Sequence, residues 1–156
     1  MSDQFQFSYR VLNSKDALSQ EDLQLVSGAI SAMQRAYAPY SKFKVGASLL
    51  LQSGQMIEGN NQENIAYPSG LCAERVALFY AGAQFPSDPI LKICIVAEGE
   101  LMSAGSFLSP CGSCRQVMLE CEARQAQPIE VLLVQRSGQI IVLDSVQNLL
   151  PFGFSK

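Results

Sequence analysis

Three cysteines and one glutamate have the residue types and the spacing of a hydrolytic metal site. Cys111 and Cys114 form a Cys-x-x-Cys pair, and Cys72 lies well upstream with Glu74 two positions after it. A Cys-x-x-Cys pair offers two thiolates to one ion, and a third thiolate leaves a tetrahedral zinc site with one open position. That position can carry a water, which a neighbouring carboxylate can deprotonate. The pattern therefore predicts a catalytic zinc site in which Glu74 transfers protons.

Both cysteine segments lie where the sequence predicts the start of a helix. A helix N-terminus carries unpaired N–H groups and partial positive charge, which lower the pKa of a thiol. Three thiolates on a divalent ion leave a net negative charge, which hydrogen bonds to the sulfur atoms can offset. The nearby donors are Arg75, Arg115 and Gln116. The alternatives are a surface ion pair for each arginine and, for Glu74, an acid favoured only by the helix dipole.

Two other uses of these cysteines are weaker alternatives. A closed structural zinc site needs a fourth ligand, but the sequence contains no histidine. Cys94 and Cys121 lie in apolar periodic segments, where a free cysteine behaves as a small buried hydrophobe. A redox Cys-x-x-Cys pair of the thioredoxin type follows a strand directly and does not require a distant Cys-x-Glu. The open catalytic site is the favoured interpretation.

Length and composition indicate one compact domain spanning residues 1–156. The chain has 156 residues, of which 48 % are hydrophobic and 16 % are charged, within the usual size range of a domain. This apolar content in a small chain also indicates surface buried between subunits. The net charge of -3 provides no basic stripe for a phosphate backbone, so a nucleic-acid partner is disfavoured.

The sequence also favours a cytoplasmic protein without a membrane partner. Its longest apolar runs are far shorter than the roughly 20 residues of a membrane-spanning helix. The N-terminus lacks the basic region and apolar core of a secretory signal. The sequence contains five cysteines, an odd number. This number favours a metal-binding or redox role over a framework of disulfide bonds.

Hydrophobic periodicity predicts an α/β fold, a three-layer α/β/α sandwich with a mixed five-stranded sheet. Residues 1–18 show no sustained period and predict a loosely ordered lead-in. An amphipathic helix then begins after Ser19 and ends before Pro39. The remaining elements are a strand hairpin at 44–51 and 56–60, a helix at 72–82, a buried strand at 90–97, a helix at 111–124, strands at 129–134 and 139–143, and a short last helix before Pro151.

Several segments together resemble a known family. They are Tyr40-Ser41-Lys42-Phe43-Lys44-Val45-Gly46-Ala47, Asn61-Gln62-Glu63-Asn64, Cys72-Ala73-Glu74-Arg75, Pro110-Cys111-Gly112-Ser113-Cys114-Arg115-Gln116 and Leu149-Leu150-Pro151. The chain resembles the cytidine deaminases of the small, homotetrameric, three-cysteine type. The paired zinc motifs are specific to the cytidine and deoxycytidylate deaminase superfamily. Taken alone, the asparagine–glutamate element at 61–64 would predict only a solvated loop. Together with the zinc motifs, it narrows the resemblance to deaminases that act on free nucleosides.

The resemblance implies the chemistry. Cys72, Cys111 and Cys114 would bind one zinc ion per subunit, and water would attack C4 of cytidine or deoxycytidine. Glu74 would protonate N3 and then the amino group. Ammonia would leave, and uridine or deoxyuridine would remain, as in pyrimidine salvage.

The resemblance also implies substrate contacts. Phe43 would stack near the base, and Asn61 and Glu63 would hold the ribose hydroxyl. The Ala73 backbone N–H and the Ser109 carbonyl would bind the polar edge of the pyrimidine. The resemblance implies a homotetramer with shared active sites, in which Phe154, or less plausibly Phe152, closes the neighbouring pocket near Tyr67.

Three positions depart from the family pattern. Asn60 and Gln62 are polar where the family has apolar or small residues, and Ile65 replaces the usual alanine. A deaminase of a related aminopyrimidine such as blasticidin S is therefore an alternative function. A zinc-stabilised binding module without catalysis is a second alternative, which the presence of Glu74 disfavours.

Overall fold

One mixed sheet organises the computed structural model, which describes residue 4 and residues 6–99, 101, 107–125 and 127–154. Within these residues the strands are β1 (Arg10–Leu12), β2 (Lys44–Leu51), β3 (Met56–Asn60), β4 (Ile90–Glu98), β5 (Glu130–Val134) and β6 (Ile140–Leu143). The α-helices are α1 (Gln20–Gln34), α2 (Ala73–Gln84) and α3 (Gly112–Gln125), and short 3-10 helices form at Lys15–Ala17, Tyr67–Ser69 and Val146–Leu149. The strand order is β1-β6-β5-β4-β2-β3. Only β4 and β5 pair in parallel within this described sheet.

The predicted class and element order are confirmed, but the predicted number of strands is wrong. The described sheet has six strands rather than five, because Arg10–Leu12 pairs with β6. Leu12 packs on the apolar cluster beneath α1, and Arg10 lies 2.8 Å from Glu130 and 3.4 Å from Asp144. These contacts are tertiary, so a strand of three residues leaves no period in the sequence that would reveal it.

Helices cover both faces of the sheet, as predicted. The side chains of β4 alternate, with Ile93 and Ile95 in the cluster under α2 and α3, and Cys94 and Val96 in the cluster under α1. This alternation explains the continuous apolar run of β4. It also confirms that Cys94 is a buried core residue. Cys121 is likewise buried, on the α3 side.

Gly59 allows α2 to approach the sheet closely. A Cβ atom added at this position in β3 would lie 2.6 Å from both the Ala73 carbonyl oxygen and the Ala77 backbone nitrogen. Such distances are far below van der Waals contact, so no larger residue fits unless the helix moves. Because Ala73 begins α2, Gly59 sets the position of the turn that carries Glu74.

Within the described residues, no helix is both long enough and apolar enough to cross a membrane.

Replacing Gly59 with alanine tests this placement. In Gly59→Ala the added methyl group displaces the start of α2, so we expect the free energy of unfolding to fall by about 1–3 kcal/mol. Zinc binding should weaken by about tenfold, the typical effect of disturbing the groups around metal ligands. Denaturant titration and competition with a chromogenic chelator measure the two effects.

Gly82→Ala is the matched control, since Gly82 lies in the same helix. The nearest atom to its added Cβ is Nη2 of Arg124 at 3.9 Å. This substitution should raise stability by about 0.5–1 kcal/mol through helix propensity and leave metal affinity unchanged. Equal metal affinity in the two variants would contradict the role given to Gly59.

Candidate active site

The three predicted ligand sulfurs converge at one point. Sγ of Cys111 lies 4.0 Å from Sγ of Cys72 and 3.5 Å from Sγ of Cys114, and all three atoms lie within 4.8 Å of one another. A zinc ion with Zn–S bonds of about 2.3 Å places tetrahedral ligand sulfurs roughly 3.8 Å apart. The donor set therefore fits a single metal ion without rearrangement of the backbone.

Two helix N-termini bring these sulfurs together. Cys72 is the N-cap residue of α2, Cys111 directly precedes α3, and Cys114 lies in its first turn. Interaction with the Cys114 thiol lowers the pKa of Cys72 to about 5, and hydrogen bonds from Arg75 and Cys111 act in the same direction against burial. The same pairing raises the pKa of Cys114. Of these two interacting thiols, Cys72 is therefore the one that ionises more readily.

Glu74 lies in the first turn of α2 and is 3 % exposed. Burial raises the pKa of its carboxyl group, and the negative charge of Cys72 adds to this effect. Its Oε2 atom has no hydrogen-bond partner among the described residues. A buried carboxylate oxygen without a partner is costly. The arrangement is therefore suited to a group that exchanges a proton with a bound molecule.

Of the expected donors to sulfur, Arg75 is in place. Its Nη2 atom lies 3.9 Å from Sγ of Cys72. The hydrogen bonds of Gln116 in the described residues go instead to the backbone of Phe154, with the amide donating to the carbonyl at 2.7 Å and accepting from the N–H at 3.0 Å. Arg115 also turns away from the sulfurs and bonds to Ser109, Pro110 and Leu149.

A cavity of about 500 Å³ opens beside the cysteine cluster. Its volume is in the range of small-molecule sites. It is lined by Tyr40, Ser41, Asn61, Gln62, Glu63, Asn64, Tyr67, Gly70, Leu71, Cys72 and Arg75. The asparagine–glutamate element and a predicted metal ligand thus share one cavity, although the sequence separates them by a loop and a turn.

The other predicted contact residues surround this region without lining the cavity. Phe43 is half-buried and packs on the core, and Ala73 is fully buried at the start of α2. Ser109 is exposed just before Cys111. Phe154 is 86 % exposed, with its backbone bound to Gln116.

Glu63 is held by the turn that precedes β2. It accepts hydrogen bonds from the backbone N–H groups of Tyr40, at 2.9 Å, and Ser41, at 3.2 Å, and from the Ser41 hydroxyl. Burial acts to raise the pKa of Glu63, but these hydrogen bonds and Lys42 outweigh it and lower the pKa. Ser41 is a functional candidate that sequence reasoning missed, because its only signal was membership in the matching Tyr-Ser-Lys-Phe segment.

Asn61 is bound to the start of β2. Its side chain accepts a hydrogen bond from the Val45 N–H at 2.8 Å and donates one to the Phe43 carbonyl at 2.9 Å. The amide therefore acts as a short extension of the sheet beyond the end of β3. This contact holds Phe43 and Asn61 together, as the predicted base and ribose contacts require.

The departures from the family pattern have structural explanations at two positions. Asn60 donates to the Ala32 carbonyl at 3.0 Å, which also accepts a hydrogen bond from the Arg35 N–H at the end of α1. Gln62 in turn donates to the Asn60 side chain at 2.5 Å. Ile65 is exposed, and nothing in the structure explains its size.

Comparison with known proteins gives consistent matches. A sequence model of the cytidine and deoxycytidylate deaminase zinc-binding region matches residues 19–128. A cytidine deaminase of Halalkalibacterium halodurans is 41% identical over 132 residues, which are 84% of this chain and 92% of that protein. The crystal structure of a cytidine deaminase from Burkholderia pseudomallei is 38% identical, with a TM-score of 0.73 over 88% of this chain and 100% of that chain. One from Mycobacterium tuberculosis is 30% identical, with a TM-score of 0.66 over 88% and 100%.

Removal of the metal should expose a selectively reactive thiol at Cys72. With a pKa of about 5, this thiol is almost fully ionised at neutral pH, so its alkylation rate should stay level between about pH 6.5 and 8. An ordinary thiol, with a pKa near 8.5, becomes roughly twentyfold more reactive over the same interval, because its thiolate fraction rises by that factor. Timed iodoacetamide labelling with peptide mass mapping measures each site.

Cys94 serves as the internal control, since burial raises its pKa and a folded protein leaves it unlabelled. Zinc should protect Cys72 from labelling. A Cys72 rate that climbs with pH like that of an ordinary thiol would contradict the charge distribution described here.

Proposed function

The chain belongs to the family of cytidine and deoxycytidylate deaminases, and on this premise we propose that it hydrolyses cytidine and deoxycytidine to uridine and deoxyuridine with release of ammonia. The observation that carries the proposal is that a cavity lined by the Asn61–Glu63 element and Cys72 opens beside the three sulfurs, next to a buried Glu74 whose Oε2 atom has no partner among the described residues. A structural zinc site needs neither the carboxylate nor the cavity.

The proposed zinc ligands are Cys72, Cys111 and Cys114, whose sulfur spacing fits one ion. When bound, zinc supplies the acidification of water that hydrolysis requires at neutral pH. Arg75 offsets part of the charge of the three thiolates by donating to Cys72, and the N-termini of α2 and α3 add partial positive charge.

Glu74 is the proposed proton carrier. It accepts a proton from the attacking water and delivers it to N3 as the new C–O bond forms at C4. It then takes the second proton of that water from the new C4 hydroxyl and delivers it to the amino nitrogen, so that the C–N bond breaks, neutral ammonia leaves and the C4 carbonyl of the product forms. The buried position of Glu74 raises the pKa of its carboxyl group, which favours the return of the proton from this group as an acid after it has acted as a base.

Substrate binding is proposed to use the residues around the cavity. Asn61 and Glu63 bind the ribose hydroxyl, and Phe43 stacks near the base. The Ala73 N–H belongs to the first turn of α2, where backbone donors lack helical partners, and it is proposed to bind the pyrimidine edge. The Ser109 carbonyl accepts a hydrogen bond from the amino group.

A homotetramer with shared sites is proposed for the assembled protein. Phe154 and Tyr67 are 86% and 75% exposed, and Tyr67 packs edge-on against Tyr40 at the cavity, with 6.2 Å between ring centroids. Large aromatic side chains left in water favour burial against another subunit. Phe154 is proposed to close the cavity of a neighbour.

The free cysteines and the net charge support a proposal about the domain organisation, cellular location and partners of the protein. We propose that residues 1–156 form one catalytic domain that works in the cytoplasm and does not bind nucleic acid. The five free cysteines support a reducing compartment, and the net charge of -3 opposes contact with phosphate backbones.

A turnover panel tests the function directly. Cytidine, deoxycytidine, cytosine, CMP and blasticidin S are incubated separately with zinc-loaded protein, and the loss of aminopyrimidine absorbance is followed. We expect the two nucleosides to react fastest, because they present sugar hydroxyl groups to Asn61 and Glu63, which cytosine lacks, without the phosphate charge that CMP carries. About one zinc ion per chain without turnover of any compound would leave the binding module as the function.

Glu74→Gln is the matched variant for the same assay. It removes the proton carrier but preserves size, so zinc content should stay constant while the rate falls by about 10³-fold or more. Near-normal turnover in this variant would overturn the role of Glu74.

Mixed assemblies test whether Phe154 acts on a neighbouring site. Phe154→Ala and Glu74→Gln should each lower activity when prepared alone. Refolded together, they should regain activity above the sum of the separate preparations, because some sites then combine a native Glu74 with a native Phe154 from the adjacent subunit. Phe152→Ala in place of Phe154→Ala is the control. A strictly additive mixture would contradict the shared site.

A further inference from the structure

Leu108, Ser109 and Pro110 lead directly into Cys111 without regular secondary structure. Within the described part of the chain, no backbone-to-backbone hydrogen bond involves any of these three residues. Their hydrogen bonds are made instead with the side chains of Gln135 and Arg115. The course of this segment, which carries the proposed amino-group acceptor, thus depends on those side chains.

Gln135 holds the segment from the sheet side. It follows β5, is 7% exposed, and accepts a hydrogen bond from the Leu108 N–H at 2.7 Å. Its amide nitrogen donates to the carbonyls of Leu133, at 3.0 Å, and Leu108, at 3.4 Å. A primary amide offers an acceptor and two donors, so Gln135 binds both backbone groups of Leu108 as a neighbouring strand would.

Arg115 holds the same segment from the side of α3. Its Nε donates to the Pro110 carbonyl at 2.8 Å, and its Nη2 donates to the Ser109 hydroxyl at 2.8 Å. The third donor, Nη1, binds the Leu149 carbonyl at 3.0 Å. Ser109 therefore lies between two restrained neighbours, Leu108 and Pro110, while no hydrogen bond of the described residues uses its own carbonyl.

We propose that Gln135 is a positioning residue for deamination, acting through Leu108 to fix the direction of the Ser109 carbonyl. The inference rests on the proposed function, since it assigns a purpose to that carbonyl. Gln135 lines no part of the cavity beside Cys72, so its effect on the reaction passes through the backbone. The carbonyl binds the amino nitrogen more strongly as that nitrogen gains a proton and becomes the leaving group. Misdirection of the carbonyl therefore slows the chemical step more than it weakens binding of the ground state.

Gln135→Met tests the proposal, because methionine keeps the length and bulk of the side chain and loses all three hydrogen bonds. We expect kcat for cytidine to fall by about 10- to 100-fold, the scale of a small misplacement, with KM changed by less than about threefold. The inhibition constant of uridine should remain native, because uridine lacks the amino group. Zinc content should also be unchanged.

A second measurement is independent of turnover. Hydrogen exchange at the Leu108 amide should accelerate in Gln135→Met, since its acceptor is lost. Gln139→Met is the matched control. It is the same substitution in the same hairpin, at a side chain whose hydrogen bonds in the described structure go to Ser137 and Asn13. It should leave both kinetics and Leu108 exchange at native values.

Native kcat or native Leu108 exchange in Gln135→Met would overturn the inference. A parallel loss of cytidine turnover, uridine binding and zinc would also overturn it, because that pattern indicates general damage. If Gln135→Met does not fold, Gln135→Asn decides the matter, since its amide is one methylene group too short to reach Leu108. Failure of the proposed function would be visible separately, as absence of cytidine turnover by the unaltered protein.

Discussion

Three sulfur atoms can share one ion only if the N-termini of α2 and α3 are held together at one edge of the sheet. The helices lie on the same face and contact each other, and β4 connects them in the chain. The parallel pairing of β4 with β5 places α3 in the crossover between these strands, while Gly59 allows α2 to sit directly on β3. The convergence of the three sulfur atoms thus depends on the close approach of α2 to β3, which Gly59 allows.

The same convergence creates an electrostatic problem that the fold addresses locally. Three thiolates and a nearby carboxylate bring more negative charge than one divalent ion neutralises. Arg75 contacts Cys72, and two helix ends point at the cluster. Burial raises the pKa of the Glu74 carboxyl group, and the negative charge of Cys72 adds to this effect. The desolvation that makes the site costly to assemble is therefore the same property that the proposed acid and base role of Glu74 uses.

The features that could be predicted from the sequence are those that depend on the spacing of residues within short segments. The positions of the cysteine cluster, the buried strand β4 and the order of the elements follow from motif spacing and from hydrophobic period. The strand β1 was missed because Arg10 and Leu12 gain their partners only in the folded sheet. Gln135 was missed for a similar reason: a single glutamine after a strand has no local signature, and its partner Leu108 lies in a separate segment. The bonds of Gln116 with Phe154 likewise depend on how the C-terminal residues lie along α3.

The hydrogen bonds of Asn61 and Glu63 bear on how a nucleoside would be recognised. Glu63 accepts three hydrogen bonds from the turn before β2, and an ionised carboxylate has about four acceptor sites. Asn61 uses one of its two N–H groups on Phe43, and the other remains as a donor. Together they keep one donor and two acceptor sites, one on Glu63 and one on the Asn61 amide oxygen, which is sufficient to bind a hydroxyl group as both donor and acceptor. Because the protein itself fixes both side chains, binding a sugar costs little additional side-chain entropy. Selectivity for a nucleoside would then arise from rigidity already present before the substrate arrives.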